Sequence, residues 1–423
     1  MADHHERIER VRDLRFKKIL KNLRPSAAAG ASGTAGPSTG RNTTATNRGA
    51  QAEFEDNENY DEVGPGLKDE AAARLLQRRI KRNPVVASNR ISEKTRFSSN
   101  RVISRSDLIA LSVHADTISR VLKKPSPNAA DWQTVREALY KLPFENVDQK
   151  IVHSSGAMKQ LLRIEQDRFD IPEDISLDAQ MILKRWRNGD YDPHLLRGID
   201  LNQTITHVKG KGGKNVKRTR HYKLEEDYDW KRDDNVEGNH ELFVGEWWPL
   251  QICALRDGAH GEMEAGISGN TIIGAISVIV SGGALYPDLD ELDRVLYCGT
   301  MGIEAPINYA ADPAEERDPG DRIPSHNTKL LMISYKNGTK IRLFRSAKSQ
   351  SPYAPAEGLR YDGLYTIRAY EILDKKNAVY RFELIRESNQ PAIRGDPDDP
   401  GCKPNKVELA KWQGIKKTLK GER

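Results

Sequence analysis

An α+β fold is predicted for the C-terminal half of this 423-residue chain. A small all-α domain precedes it, behind a largely disordered N-terminal region. Three observations predict this order. Apolar residues recur at helical spacing between about 103 and 195. After about 236 the chain turns to alternating or continuous apolar runs separated by turn residues. Before 103, the apolar content is too low to build a core.

Composition narrows the classes. Charged residues make up 30% of the chain and hydrophobic ones 37%, and mean hydropathy is −0.70, so part of the chain lies outside a packed core. No apolar run approaches the roughly 20 residues of a membrane-spanning helix. The charged start, MADHHERIERVRDLRFKKIL, has no apolar stretch of the kind a secretory signal carries. Cys253, Cys298 and Cys402 are the three cysteines and form no CxxC pair. They point to a reducing compartment, without a disulfide framework or zinc site. Net charge +6 permits nucleic acid as a partner.

Residues 1–102 read as a basic, largely disordered region with short helices. It contains an amphipathic stretch over 1–24, an Ala/Gly/Ser/Thr linker over 25–50, an acidic run (53–62) and RRIKR at 78–82, which has the composition of a nuclear import signal. Within 103–195, Leu108, Leu111, Val121 and Leu122 mark one helix. Val135, Leu139 and Leu142 mark another, with Asp131 as its expected N-cap. Helices follow over 154–166 and 176–188. The stretch 151–186 loosely resembles the transcription-elongation-factor N-terminal helical domain; a generic bundle with Trp186 in its core is the plainer reading. Residues 196–235 read as a basic Gly/Lys/Arg linker. Its segment 207–223 holds three glycines and seven Lys or Arg. Lys209, Lys211, Lys214, Lys217, Arg218 and Arg220 are candidates to lie on a phosphate backbone. In 236–394 strands are expected over 248–255, 275–283, 339–345, 364–373 and 379–386, and a helix over 329–338 ended by Asn337-Gly338. Residues 395–423 read as a basic tail. The 236–394 module is large enough for a core of its own and is expected to fold alone.

The ordered segments GEWWPLQICALRDGAHGEMEAGISG (245–269), AISVIVSGG (275–283), LYCGT (296–300), YAPAEGLRYDGLYTI (353–367) and FELIR (382–386) closely resemble the SRA domain, also called the YDG domain. The resemblance covers about 236–394. It implies an SRA-like (PUA-like) curved β-barrel with flanking helices and binding of DNA that carries 5-methylcytosine. In well-understood members the base is flipped into a pocket. Extruding a base costs a few kcal/mol. Stacking on aromatic faces returns roughly 1–3 kcal/mol, and a carboxylate can read the exocyclic amine of cytosine.

The resemblance places that pocket at Gly283, Tyr286, Asp288, Tyr297 and Cys298. Tyr297 matches the second stacking tyrosine, and Cys298 offers a backbone group. Counting back from Tyr297 selects Asp288 as the reader, with Asp290 as the fallback; counting forward from Tyr286 selects Leu289. Without the resemblance, the same residues are a strand-loop-strand with half-buried tyrosines. Arg345 and Lys348 are further phosphate candidates, with Lys336, Lys340 and Arg342 near them. Glu264 stands where the family has an apolar thumb, and Arg317 and Arg322 are the cations of an otherwise acidic loop over 303–327. Reading of hemimethylated CpG is therefore expected to be poor. Arg360, Tyr361, Asp362 and Gly363 read as an architectural turn, capped by Asp362.

No RING-type Cys/His series, SET stretch or HNH cluster is visible, so the chain is expected to be no enzyme and to need no cofactor. The expected function is a nuclear, non-enzymatic chromatin adaptor. It would bind methylated duplex DNA through the SRA module and chromatin proteins through the helical domain, with ubiquitin-ligase or heterochromatin links through partners. The alternative is a protein-interaction scaffold whose SRA fold has lost base flipping.

Overall fold

The computed structural model describes residues 103–166, 171–209, 216–282, 288–306, 318 and 320–420, without side chains for 202–209, 216–221 and 420. The expectations for 1–102 fall outside these residues. The helical part begins with α1 (Arg105–Leu122) and α2 (Ala129–Lys141). Each opens on a reciprocal capping box: Ser104 with Asp107, and Asn128 with Asp131. The N-cap of α2 is thus Asn128, and Asp131 sits at its third position rather than at the cap. The stretch expected as one helix over 154–166 is split into α3 (Gln149–Ser154) and α4 (Ala157–Gln166) by Gly156, whose φ is +78°. The last helix of this part is α5 (Glu173–Arg187). Leu111, Ile118, Leu139, Leu161, Ile164, Leu183 and Trp186 share one buried cluster.

The segment 196–235 differs from a linker. It forms an antiparallel ribbon of β1 (Ile199–Lys209) and β2 (Val216–Leu224). Its β-branched residues, Ile199, Thr204, Ile205, Thr206, Val208 and Val216, favour extended backbone. The density of Lys and Gly masks that signal in the sequence.

The α+β part is a mixed, eight-stranded sheet with flanking helices. Its strands are β3 (Trp247–Trp248), β4 (Ile267–Asn270), β5 (Gly274–Val280), β6 (Leu289–Asp290), β7 (Arg294–Cys298), β8 (Ile341–Ser346), β9 (Leu359–Asp374) and β10 (Val379–Arg386). They run in the order β4-β5-β8-β9-β10-β7-β6, with β3 on β9. Only β5 and β8 pair in parallel, and between them lies α7 (His326–Asn337), which closes on Gly338 at φ +67° as expected. The strand expected over 248–255 is not there. Pro249 cannot donate to a ladder, so β3 stops at Trp248 and the chain turns into α6 (Gln251–Arg256).

The sheet curls strongly. Four strand spacings separate β8 from β6, about 19 Å if flat, yet Arg345 on β8 reaches Asp290 on β6 at 2.7 Å. Five spacings separate β7 from β4, yet the Tyr297 hydroxyl lies 3.3 Å from the Gly266 carbonyl just before β4. Val278, Leu343, Tyr365, Phe382 and Tyr297 fill the enclosed core.

Residues 395–423 also differ from a tail. The helix α8 (Lys406–Lys420) packs Trp412 into one cluster with Trp247, Trp248, Phe344 and Tyr361. Leu196 and Ile199 join that cluster, so the sheet's second core draws on residues from either side of 236–394.

Candidate nucleic-acid interface

The site is built around the β6–β7 hairpin. Leu289 pairs with Leu296 and Asp290 with Val295, which brings Asp288 beside Cys298. The Cys298 N–H donates to Asp288 Oδ1 at 2.9 Å. Burial, and then the charge of Asp290, push the Asp288 carboxyl up to about 6, against the backbone N–H groups of Cys298 and Gly282 that favour its ionised form. Gly282 holds φ +68°, a conformation that a residue with a Cβ adopts only under strain. It is a contributor that the sequence reading placed one residue later, at Gly283.

Tyr297 is 6% exposed and is held from both ends. Its backbone pairs with Phe382, and its hydroxyl donates to Gly266. Burial pushes its phenol far above the usual range. Burial, and then Asp288, raise the Cys298 thiol to about 11, so it is a poor nucleophile. Of the three candidate readers, Leu289 is exposed. Asp290 is already taken by Arg345 and by the Ser351 hydroxyl at 2.6 Å. Asp288 is the carboxyl next to Tyr297 and Cys298. Gly283 and Tyr286 lie outside the described residues.

Arg345 corrects the sequence reading. It is fully buried and binds Asp290 and Asp362, so it faces no phosphate. Arg342 is likewise buried, donating to the carbonyls of Asp234, Val236, Gly238 and Ala259. Lys348 is exposed, in the loop that lies against Gly282. Lys209, Lys217, Arg218 and Arg220 occupy positions on β1 and β2; Lys211 and Lys214 lie outside the described residues.

The signature residues are a strand, not a turn. Arg360, Tyr361, Asp362 and Gly363 run through the interior of β9, the first three fully buried. Asp362 caps nothing: it accepts from Arg360 at 2.6 and 3.0 Å and from Arg345 at 2.9 Å. The sequence hid this, because Arg345 meets Asp362 only across the pairing of β8 and β9. Gly363 holds φ +111°, and a Cβ there would meet the Gln390 side chain at 2.7 Å.

Glu264 is exposed on the loop 261–266, beside Met263. Gln251 Nε2 holds that loop through the carbonyls of Glu262 and Ala265, at 2.9 and 2.7 Å. His260 Nε2 meets the Ala265 carbonyl at 2.9 Å. Arg322 is turned onto the body, 3.3 Å from the Gly302 carbonyl; Arg317 lies outside the described residues. A separate cavity of about 330 Å³ opens between the helical part and the sheet. Asp178, Lys184, Trp186, Trp247 and Lys403 line it, and Asp288 and Tyr297 do not.

Comparison with known proteins bears on this geometry. The family model described as "SAD/SRA domain" matches residues 236–390. The E3 ubiquitin-protein ligase ORTHRUS 2 of Arabidopsis thaliana is 34% identical over 173 residues, 40% of this chain and 26% of the relative. A UHRF1-like protein of Cryptococcus neoformans is 36% identical over 131 residues, 29% of this chain and 37% of the relative. The E3 ubiquitin-protein ligase UHRF1 of Rattus norvegicus is 27% identical over 166 residues, 35% and 21% of the two chains. This chain thus spans about a quarter of the length of the ligases it matches. A solved structure titled as the SUVH5 SRA in complex with hemimethylated CG DNA is 21% identical, with a TM-score of 0.28, covering 37% of this chain and 97% of that one.

These relatives correct one expectation. The chain was expected to be no enzyme, yet relatives that share this region are named as ubiquitin ligases, which are enzymes; their likeness to this chain is confined to the shared region. Matching motifs, the curled mixed sheet and the family model agree: residues 236–390 are an SAD/SRA domain.

Proposed function

We propose that the SRA domain binds duplex DNA carrying a methylated cytosine and holds the extruded base against Tyr297, with Asp288 reading its amine. The observation that carries this reading is the placement of Asp288. It is the one carboxyl of the hairpin next to Tyr297 and Cys298 that no cation occupies among the described contacts. A base amine would add a further donor to the backbone N–H groups of Cys298 and Gly282. The ligase names of the relatives extend this to a role in DNA-directed ubiquitin transfer; a nuclear setting and chromatin partners belong to the same proposal.

The test is a binding panel of unmodified, hemimethylated CpG, fully methylated CpG and methylated non-CpG duplexes at two salt concentrations. Methylated duplexes should bind more tightly than unmodified DNA at both. Among the methylated duplexes, preferences should stay under about tenfold, or 1.4 kcal/mol. Arg322 is bound to the body, and the exposed Glu264 is repelled by phosphates. Equal binding of all four would instead favour the protein-interaction scaffold.

Selectivity should also depend on pH. The Asp288 carboxyl ionises near 6, and the ionised form is the stronger acceptor for an amine. Preference for methylated over unmodified DNA should rise between pH 5 and 7, by about tenfold at most, and Asp288→Asn should flatten the rise. The same shift acts oppositely on folding. The unfolded carboxyl ionises near 4 and the folded one near 6, so this group's contribution to stability falls as pH rises through that window. Anisotropy titrations across the range check the binding; a flat profile in the parent protein excludes Asp288 as the reader.

A further inference from the structure

A continuous run of buried polar groups joins the helical part to the pocket loop. It starts at Asp178 on α5. Arg394 grips that carboxylate with both terminal nitrogens, at 2.7 and 3.1 Å, and Lys403 Nζ lies at 3.2 Å. The main-chain carbonyl of Lys403 accepts from Arg360 Nη1 at 3.2 Å. Arg360 holds Asp362, and Asp362 holds Arg345. Arg345 then clasps Asp290 with two bonds of 2.7 Å and reaches the Leu292 carbonyl at 2.6 Å. Asp288 is two residues before Asp290. The side chains from Asp178 to Asp290 along this run are at most 5% exposed.

Burial on this scale excludes direct contact with DNA, so the run acts on the site only through position. Charges in a low-dielectric interior do not slide. A buried guanidinium that loses its carboxylate is left as an uncompensated charge, so each link either keeps its partner or breaks. The run is also electrically matched: Arg394, Lys403, Arg360 and Arg345 stand against Asp178, Glu408, Asp362 and Asp290. Asp178 and Lys403 line the cavity between the helical part and the sheet, so the first links border a space that can be filled or reshaped.

We propose that Asp178 is a positioning residue for the pocket: the helical part sets the place of Asp288 through Lys403, Arg360, Asp362, Arg345 and Asp290. The consequence for DNA rests on the base-pocket reading above; the structural linkage does not. A change in the helical part then alters methylated-DNA selectivity without touching DNA.

The Cys298 amide reports the linkage directly, because its N–H is bonded to Asp288 Oδ1. Hydrogen exchange is measured on the full chain with and without Asp178→Asn. Cys298 should exchange about tenfold faster in the variant, while interior amides of Val278 and Leu343 keep their rates. Unchanged exchange at Cys298, with faster exchange confined to α5 and 394–405, overturns the proposal. If Asp178→Asn fails to fold or accelerates all amides alike, Asp178→Glu is read by the same criterion: a selective change at Cys298 supports the linkage, and no selective change overturns it. The same variant is titrated with methylated and unmodified duplexes, where selectivity should fall about threefold or more with little change for unmodified DNA. A selective Cys298 effect in a protein whose parent shows no methyl preference upholds the linkage and defeats the pocket reading. A parent with clear preference, and a variant with unaltered preference and exchange, defeats the linkage alone.

Discussion

Replacing Asp362 by alanine is expected to destabilise the folded chain by about 3–5 kcal/mol at neutral pH. The carboxylate is fully buried between Arg360 and Arg345. Its removal leaves Arg360 buried without a counter-charge and Arg345 with Asp290 alone, and that penalty exceeds the loss of the hydrogen bonds themselves. The pH dependence has a definite sign. Burial alone would raise this carboxyl, but Arg360 and Arg345 outweigh it and hold the group below its usual value. Its contribution is therefore complete above the unfolded value of about 4 and is lost as pH falls from there through the folded value. Urea melts of parent and variant at pH 7 and pH 3 check both statements. A difference under about 1 kcal/mol at pH 7, far below the range for a broken buried pair, would show that water or rearrangement satisfies the arginines.

Ending the chain after Arg394 should have an effect as large or larger. The cut removes Trp412, which is 5% exposed in the core with Trp247, Trp248 and Phe344. Deleting such a side chain alone costs about 3–5 kcal/mol. It also removes the Lys403 carbonyl from Arg360, the Gly401 carbonyl from Arg394 and the Pro400 carbonyl from Tyr140. A fragment of 236–394 further loses Asp178, the carboxylate that Arg394 holds. Against a total stability of about 5–15 kcal/mol, these losses predict no cooperative melt for the fragment. The reading of 236–394 as self-sufficient counted motifs and strands but not the flanks that bring Leu196, Ile199 and Trp412 into its core. A sharp thermal transition within a few degrees of the full chain's would restore it.

Part of this geometry is local in sequence. Tyr297 and Asp288 sit in a short strand-turn-strand whose spacing is local, so their neighbourhood follows from pairing across one hairpin. The helix over 326–337 is marked by its Asn337-Gly338 end. Arg345 and Asp362 were misread for the opposite reason. Their distant partners are not visible in the local sequence: Asp290 precedes Arg345 by 55 residues, and Arg345 reaches Asp362 from the neighbouring strand, 17 residues away. A basic residue on a predicted strand reads as solvent-facing unless a buried carboxylate is known to await it.

From its sequence alone, the chain declares the SRA motifs, the helical character of 103–195 and the strand-rich half. These are matters of period, turn chemistry and contacts within a dozen or so residues, which local sequence encodes. Tertiary structure decided the rest. It turned the Gly/Lys/Arg stretch into a ribbon and the C-terminal tail into a core-packing helix. It drew Arg345 inward and joined the helical part to β6 through buried charge. Those outcomes depend on which groups the curled sheet brings together from distant parts of the chain. In a low-dielectric interior a charge must find its partner wherever the fold places it, and no local pattern records that address.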